Sequence, residues 1–151
     1  MTKEQKEKYF DRAYIALTPL DGFLMCQHEE RMDLKEMQDM VEGYIETVPT
    51  VIAPHWADEK GVSIRMVVNE EGKLRGLDWN TKATTLYGHS QDYIVGNALI
   101  VGAKGDELIA LKRSAAEKIM RVFNLEHKEI EESGITMEEF LKKTEEEGEE
   151  A

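Results

Sequence analysis

Residues 63–77 read SIRMVVNEEGKLRGL, and this stretch decides how the rest of the chain is interpreted. In its first half, Ile64, Met66 and Val68 recur at every second position, as expected of a strand whose two faces differ. Residues 74–77 can return as a second arm after a short connection, and Gly72 suits the tight turn between the arms. The stretch therefore predicts a central β-hairpin.

The composition is that of a single domain with its own core. The chain has 151 residues, of which 41% are hydrophobic and 33% are charged. Its longest apolar run, Ala98–Val101, is far shorter than the about 20 residues that a membrane-spanning helix needs. The polar first eight residues do not resemble a secretory signal, and a lone cysteine, Cys26, fits a reducing compartment. We expect a cytoplasmic protein that does not enter a membrane.

The negative charge is concentrated at one end of the chain. The net charge is −12, and residues 126–151 alone contribute −8. Such a surface repels the phosphates of DNA and RNA, so we expect no direct binding of nucleic acid. A solvated tail explains the acidic segment, and mimicry of nucleic acid toward a basic protein is the alternative.

Helix starts are marked by capping residues and helix ends by glycine. The predicted starts are Asp33 with Glu36, Asn80 or Thr81, Ser114 with Glu117, and Thr136 with Glu139. Gly43 and Gly88 are predicted to end the first two helices.

Further strands are predicted from short apolar or alternating stretches. They are 14–17 and 22–28, joined by a Pro-Leu-Asp-Gly turn, then 43–48, 93–101 and 107–111. Residues 93–101 are largely apolar on both faces, which favours an interior strand. Residues Pro49–Gly61 are predicted to be a long connection.

Together these elements predict an α+β fold. We expect a mostly antiparallel sheet of about six to seven strands packed with short helices, plus an acidic C-terminal helix. Residues 1–12 are expected to be a loose lead-in, 13–125 a single domain, and 126–151 the acidic helix with a frayed tail.

A set of motifs is shared with a known family: residues 43–48 (GYIETV), 69–74 (NEEGKL), Gly76-Leu77, Asn80, Ala83, 92–96 (DYIVG) and Gly102. Over roughly Tyr14–Phe123, their order resembles the uncharacterised domain-of-unknown-function family 3846. The resemblance implies a small protein of phages, plasmids or their bacterial hosts, without established catalytic residues. The chain departs from the family pattern in the insertion Pro49–Gly61 and in the acidic segment after Phe123.

Polar residues beside the predicted sheet are the candidates for a ligand site. Tyr44 and Glu46 share one strand face, and Asp92 stands at the entry to the apolar strand. If that face is covered, Glu46 needs a cationic partner, for which Lys82, Arg65 and Arg75 are available. The candidate ligand-binding residues are Tyr44, Glu46, Asn80, Lys82 and Asp92. A solvated carboxylate and an ordinary turn residue remain the alternative explanations for Glu46 and Asp92.

Other suggestive residues lack the partners that their chemistry requires. Cys26 and His28 have the spacing of a metal pair on a strand, but zinc needs three or four ligands. Residues 102–105 read GAKG, without the Ser or Thr that follows the lysine of a phosphate-binding loop. Ser90 and Ser114 have no partnered His and Asp at a recognisable spacing. We therefore predict no catalytic residues, no metal and no cofactor.

These observations favour a non-enzymatic accessory protein that acts by binding another protein. A protein that binds or sequesters a nucleotide or metabolite is the first alternative, and an enzyme is the second.

Overall fold

The computed structural model of the protein describes residues 11–20, 22–89 and 91–122. Its strands are β1 (Arg12–Leu17), β2 (Phe23–His28), β3 (Ile45–Pro49), β4 (Ser63–Asn69), β5 (Ala98–Lys104), β6 (Glu107–Ile109) and β7 (Leu111–Lys112). Its helices are α1 (Leu34–Val41), α2 (Thr81–Tyr87), α3 over residues 113–122, and a short 3-10 helix, Pro54–Ala57. Among the described helices, none combines the length and the apolar character needed to cross a membrane.

The seven strands form one sheet in the order β2-β1-β5-β4-β3, with β6 paired to β5 and β7 paired to β1. All of these pairs are antiparallel. The predicted α+β fold with a mostly antiparallel sheet is therefore confirmed. The predicted first hairpin is also present, because β1 and β2 pair along their whole length from Arg12 opposite His28 to Leu17 opposite Phe23.

The predicted central hairpin is wrong in its second arm. Residues 70–76 form consecutive turns after β4, and Leu74 is 90% exposed. The backbone N–H of Arg75 donates to Glu71 O at 2.9 Å, and the N–H of Leu77 donates to Gly72 O at 3.0 Å. The alternating pattern of β4 is real, but β3 and β5 already occupy its two edges. A local pattern cannot reveal that the pairing partners come from distant parts of the chain.

The apolar strand starts later than predicted. β5 begins at Ala98, whereas the sequence placed its start at residue 93. Gly96 adopts φ 74°, which interrupts an extended strand. Before it, Val95 forms an isolated bridge to Trp79, and Gly96 N–H donates to Asp78 O at 2.7 Å. Residues 92–95 are therefore held beside the segment that leads into α2, and β5 itself is interior as predicted, between β1 and β4.

The sheet buries a separate apolar cluster on each face. On one face, α2, α3 and the 3-10 helix pack against the sheet; representative residues are Leu17, Met66, Ile100, Trp56, Leu86 and Ile119. On the other face, α1 packs against the sheet; representative residues are Tyr14, Val67, Leu99, Met37 and Val41. Burying one such aliphatic side chain contributes about 1.5–3 kcal/mol, so both helical layers stabilise the sheet.

The predicted caps are largely confirmed. The Asp33 side chain accepts from Lys35 N–H at the start of α1, and the Asn80 side chain accepts from Ala83 N–H at the start of α2. Gly88, with φ 70°, ends α2 as predicted.

Two details of the predicted helix boundaries are wrong. The left-handed residue after α1 is Glu42, with φ 65°, and Gly43 follows it. Helix α3 starts at residue 113, so Ser114 lies within its first turn. The helix predicted from Thr136 and the acidic tail of 126–151 lie outside the described residues, as does the lead-in up to residue 10. Arg12, assigned to the lead-in, begins β1.

Candidate functional site

A cavity of about 280 Å³ opens where β3 and β4 meet the turns after β4 and the loop after α2. β3 contributes Glu46 and Val48, and β4 contributes Val68 and Asn69. The other walls consist of residues 70–74 and of Tyr87, Asp92, Tyr93, Ile94 and Val95. The cavity is therefore assembled from four separate parts of the chain.

Local backbone features place the two tyrosines and Asp92 in the cavity wall. The Asn80 cap fixes the start of α2, and Tyr87 is the last residue of that helix. Gly88 then takes a left-handed conformation, which lets the chain turn back toward the sheet. Thr84 Oγ1 accepts from Ile94 N–H at 2.9 Å and secures the returning segment against α2.

Asp92 is the centre of the polar contacts in this wall. Its carboxylate pairs with the ammonium of Lys73, accepts from Tyr93 N–H at 2.8 Å, and accepts from Tyr87 OH at 3.3 Å. The hydrogen bond from Lys73 is the main reason that the pKa of Asp92 lies below its ordinary value. The same contact raises the pKa of Lys73. Both groups are charged near neutral pH, so this pair is suited to electrostatic binding and not to proton transfer.

Tyr87 differs from an ordinary exposed tyrosine. Burial raises its pKa, and the neighbouring charge of Asp92 raises it further. The ring also stacks on His89, with 5.6 Å between the ring centroids. Tyr87 is therefore a neutral hydrogen-bond donor in the wall of the cavity.

Tyr93, which lines the cavity, is part of an aromatic stack. The rings of Trp79 and Tyr93 are parallel within 2°, with centroids 4.5 Å apart. The Lys73 ammonium lies 4.5 Å from the Tyr93 centroid, a favourable cation–π distance. Because the indole occupies one face of Tyr93, the ammonium lies over the other face. Despite these contacts, Trp79 is 55% exposed, so a large aromatic surface faces solvent.

The charged residues of the cavity lining are mostly acidic. Within the described part of the chain they are four carboxylates, Glu46, Glu70, Glu71 and Asp92, and one cation, Lys73. Lys73 is engaged by Asp92, and within the described residues no ion pair neutralises the three glutamates. The cavity thus presents negative charge next to exposed aromatic rings, a combination that suits a positively charged ligand group.

The structure brings together two of the five predicted site residues. Glu46 and Asp92 both line the cavity. Tyr44 lines a neighbouring open depression of about 540 Å³, together with Glu42 and Arg75. None of the cations considered for Glu46 forms an ion pair with it among the described contacts: Arg75 donates to Glu42 O, and Lys82 lies 5.1 Å from the Phe23 ring centroid.

Asn80 has a structural position in the core. Its side chain is fully buried and donates to Leu17 O at 3.1 Å and to Gly96 O at 2.8 Å, in addition to capping α2. It does not line the cavity. Its contacts join α2, β1 and the loop before β5.

Sequence reasoning missed Lys73, Tyr87 and Tyr93 as members of the site. Lys73 was hidden because residues 70–74 were interpreted as the tip and arm of a hairpin. Tyr87 stands directly before Gly88, and Tyr93 stands directly after Asp92. Two aromatic residues at the ends of a short segment of turn-forming residues could have indicated a loop that turns back over the end of a helix.

The remaining candidate residues have ordinary partners. His28 Nε2 lies 3.4 Å from Glu36, and its ring contacts the ring of Tyr14 edge-on. Burial raises the pKa of the Cys26 thiol, which lowers its reactivity. Over the described residues, no group of three or more His, Cys, Asp or Glu residues is arranged to hold a metal. Gly102 lies inside β5, opposite Ile64 and Ile109, and not in a loop.

Comparison with known proteins places this fold in a family. No curated protein and no solved structure shows a significant match to the chain. A family model, described as a domain of unknown function (DUF3846), matches residues 21–124. That span is more than half of the chain and contains the whole cavity wall, from Glu46 to Val95. The chain therefore belongs to the family of the domain of unknown function DUF3846.

Proposed function

We propose that this protein is a non-enzymatic protein-binding module that recognises a basic side chain on its partner. The observation that carries the proposal is the exposed Trp79–Tyr93 stack next to a cavity whose three glutamates form no ion pair with the described part of the chain. Aromatic residues at an interface supply large contact areas at a low cost in side-chain entropy, and they are frequent among the residues that dominate binding energy.

The contact that Lys73 makes within the protein indicates which kind of side chain of the partner would fit the cavity. Its ammonium lies against a carboxylate and over an aromatic ring. A lysine or arginine of the partner entering the cavity would meet the same two kinds of group, with Glu46 as the available carboxylate. Leu74, 90% exposed at the cavity rim, would add apolar contact beside the charged one.

The electrostatics favour a basic protein over a nucleic acid. The chain carries a net charge of −12, and the carboxylates of the cavity would repel phosphate groups. Acidic proteins associate faster with basic partners because the long-range field steers the encounter. The family resemblance adds a setting: an accessory protein of a phage or other mobile element, acting in the bacterial cytoplasm. The lone cysteine is compatible with that reducing compartment.

The proposal is tested by capture from a lysate of a bacterial host, with four forms of the full chain as bait. The wild type and Glu107→Gln should retain the same protein, because Glu107 is exposed on β6, at the far end of β5 from the cavity. Glu46→Gln and Trp79→Ala should lose it. The captured protein is then purified, and its affinity for each form is measured at two salt concentrations, with weaker binding expected at high salt. Failure to capture any protein reproducibly, or equal retention by Glu46→Gln, contradicts the proposal.

A cavity that binds a small cationic metabolite is the second candidate. The cavity volume of about 280 Å³ supports it, because it lies close to the lower end of the about 300–1,000 Å³ that small-molecule sites typically occupy. A thermal-shift panel should include polyamines and nucleotides. A rise in the unfolding temperature with a polyamine, absent in Glu46→Gln, would favour this candidate, and a flat response would remove it.

A further inference from the structure

The outer edge of β3 lies directly beside the cavity. β3 is the last strand in the sheet order on this side, and β4 is its partner among the described strands. Glu46 and Val48 of β3 line the cavity, and Glu46 is exposed. A segment that docked along this edge would therefore place its own side chains at the cavity.

The register shows which backbone groups of β3 face outward. Tyr44 O, just before β3, accepts from Glu70 N–H at 2.9 Å, so this residue is hydrogen-bonded toward β4. Hydrogen-bonded positions alternate along an antiparallel pair, so every second residue after Tyr44 also bonds toward β4. The N–H and C=O groups of Ile45 and Thr47 therefore point away from the sheet. Pro49 has no N–H, which ends the row of available donors.

Glu46 has the position at which a side chain of an added strand would come closest. Because its backbone bonds toward β4, Glu46 would be a non-hydrogen-bonded position in a new antiparallel pair, where facing side chains approach most closely. The facing residue would project on the same side of the sheet as Glu46, which is the side of the cavity. The side chain of Thr47 lies on the other side, where it lines a depression of about 440 Å³ with Arg65.

Charge decides what this edge can accept. A charged residue on an edge strand discourages pairing with a strand that offers a like charge at the facing position, and it favours the opposite charge. A second copy of the chain brings a net charge of −12, and residues 126–151 of the same chain bring −8. Glu70 and Glu71 in the same lining add to the repulsion of both. A basic segment of another protein is the occupant that the edge favours.

We propose that an extended segment of the partner adds to β3 as an antiparallel strand and places a lysine or arginine opposite Glu46. Its backbone hydrogen-bonds to Ile45 and Thr47, and its basic side chain lies over the cavity. Strand addition of this kind draws affinity from the main chain and specificity from a side-chain pocket. The antiparallel direction continues that of every described pair in the sheet. The inference rests on the proposed function, because it specifies how the partner presents its basic side chain.

The test uses a seven-residue peptide with blocked ends, Thr-Val-Thr-Lys-Thr-Val-Thr, and measures its affinity for the full chain by NMR titration. With the lysine opposite Glu46, the two threonines beside it face Ile45 and Thr47 of the protein, and their N–H groups point toward β3. N-methylation of these two threonines removes both donors and should raise the dissociation constant at least about fivefold. N-methylation of the two valines is the matched control, because their N–H groups point away from β3, and it should leave the dissociation constant unchanged. Replacing the lysine by glutamine should weaken binding by up to about fivefold.

A pair of variants tests the same bonds from the side of the protein. Thr47→Pro removes one outward N–H, and it leaves the ladder to β4 in place because that N–H is not part of the ladder. It should weaken binding of the lysine peptide at least about twofold. Thr47→Val is the matched control, because it also removes the hydroxyl but keeps the N–H, and it should bind like the wild type. In the free wild type, the amides of Ile45 and Thr47 should exchange rapidly with solvent.

Three results would overturn strand addition alone. They are equal weakening by methylated threonines and methylated valines, undiminished binding by Thr47→Pro, and slow exchange of the two amides in the free protein. Slow exchange would show that residues 1–10, residues 126–151 or a second copy already cover the edge. In each of these cases the proposed function stands if the lysine peptide still binds more tightly than the glutamine peptide.

Two further results would overturn both the strand addition and the proposed function. One is a glutamine peptide that binds as tightly as the lysine peptide, and the other is the absence of binding by either peptide at millimolar concentration. Because the peptide measurements use the wild type, the test stands even if Thr47→Pro impairs folding.

Discussion

Arg12 and Glu59 form an ion pair with two hydrogen bonds, from Nη1 to Oε1 at 2.8 Å and from Nη2 to Oε2 at 2.7 Å. Both side chains are only 15% exposed. Arg12 also donates to Ala110 O at 3.0 Å. The pair therefore fastens the connection between β3 and β4 to the first residue of β1.

Glu59→Gln should lower the free energy of unfolding by about 1–3 kcal/mol, because it removes the charge from a shielded pair and leaves the guanidinium with the more exposed Glu30, 3.3 Å away, as its remaining ion-pair partner. Asp39→Asn is the matched control. It disrupts the Lys35–Asp39 pair on α1, whose side chains are 82% and 70% exposed, and should cost no more than about 0.5 kcal/mol. Urea unfolding of the three proteins measures the difference. Equal costs for the two variants would show that the Arg12–Glu59 pair is no stronger than a surface pair.

The same pair predicts a dependence of stability on pH. The hydrogen bond from Arg12 holds the pKa of Glu59 below its ordinary value of 4.5. The ordinary value applies to the unfolded chain, and the lowered value applies to the folded chain. At a pH between the two, the unfolded chain binds more protons at Glu59 than the folded chain does. The stabilisation is therefore present above pH 4.5 and is lost as the pH falls through the pKa of Glu59 in the folded chain.

The stability difference between wild type and Glu59→Gln should therefore shrink as the pH is lowered below 4.5. Comparing the two proteins at each pH removes the contribution of other carboxylates, including Asp92. A difference that stays constant down to the acid unfolding transition would contradict the assigned pKa shift.

Asn80→Ala should be among the more damaging single substitutions in the described part of the chain. It removes the cap of α2 and leaves Leu17 O and Gly96 O without their donor in a fully buried position. A lost cap costs about 1 kcal/mol and an unsatisfied buried polar group costs about 1–3 kcal/mol, so we expect a loss of about 3 kcal/mol or more.

Asp33→Ala is the control for the cap alone. Asp33 is exposed and caps α1 with one hydrogen bond to Lys35 N–H at 3.2 Å, so its loss should cost about 1 kcal/mol. Both variants are compared by thermal or urea unfolding. If Asn80→Ala costs no more than Asp33→Ala, the two buried carbonyl contacts of Asn80 do not contribute to stability.

The parts of the fold that were predictable are those in which a short stretch of sequence determines its own conformation. The caps at Asp33 and Asn80, the glycine stop at Gly88 and the β1–β2 hairpin each depend on residues within a few positions of one another. The second arm of the central hairpin failed because the same alternation is compatible with several partners. Pairing of β4 with β3 and β5 involves contacts between distant residues, such as Met66 with Ile100, that no local pattern encodes.

The candidate site was predictable only in part, for a related reason. Glu46 was found because it shares a strand face with Tyr44, and Asp92 because it stands at the entry to an apolar strand. Their proximity, and the presence of Lys73 between Asp92 and Tyr93, depends on turns after β4 and α2 whose direction is set by tertiary contacts. Asn80 was predicted to be a ligand residue, whereas its side chain forms hydrogen bonds to the backbone of three segments of the chain.

Lys73→Gln should make the cavity a better receptor for a cationic group, because it releases Asp92 and one face of Tyr93. The Lys73–Asp92 pair is partly exposed, with side chains 48% and 33% accessible, so the gain is bounded by what such pairs contribute, about 0.2–1 kcal/mol or up to about a fivefold tighter dissociation constant. The pKa of Asp92 should rise toward its ordinary value at the same time, which an NMR titration of the carboxylate measures.

Lys104→Gln is the control. It changes the net charge equally at an exposed residue on the far end of β5, and it should leave the binding affinity and the pKa of Asp92 unchanged. The affinity is measured for the captured partner, or for a lysine-rich peptide used as a probe. If Lys73→Gln weakens binding while Lys104→Gln does not, Lys73 is itself a contact for the partner, and the cavity does not receive a cation from outside.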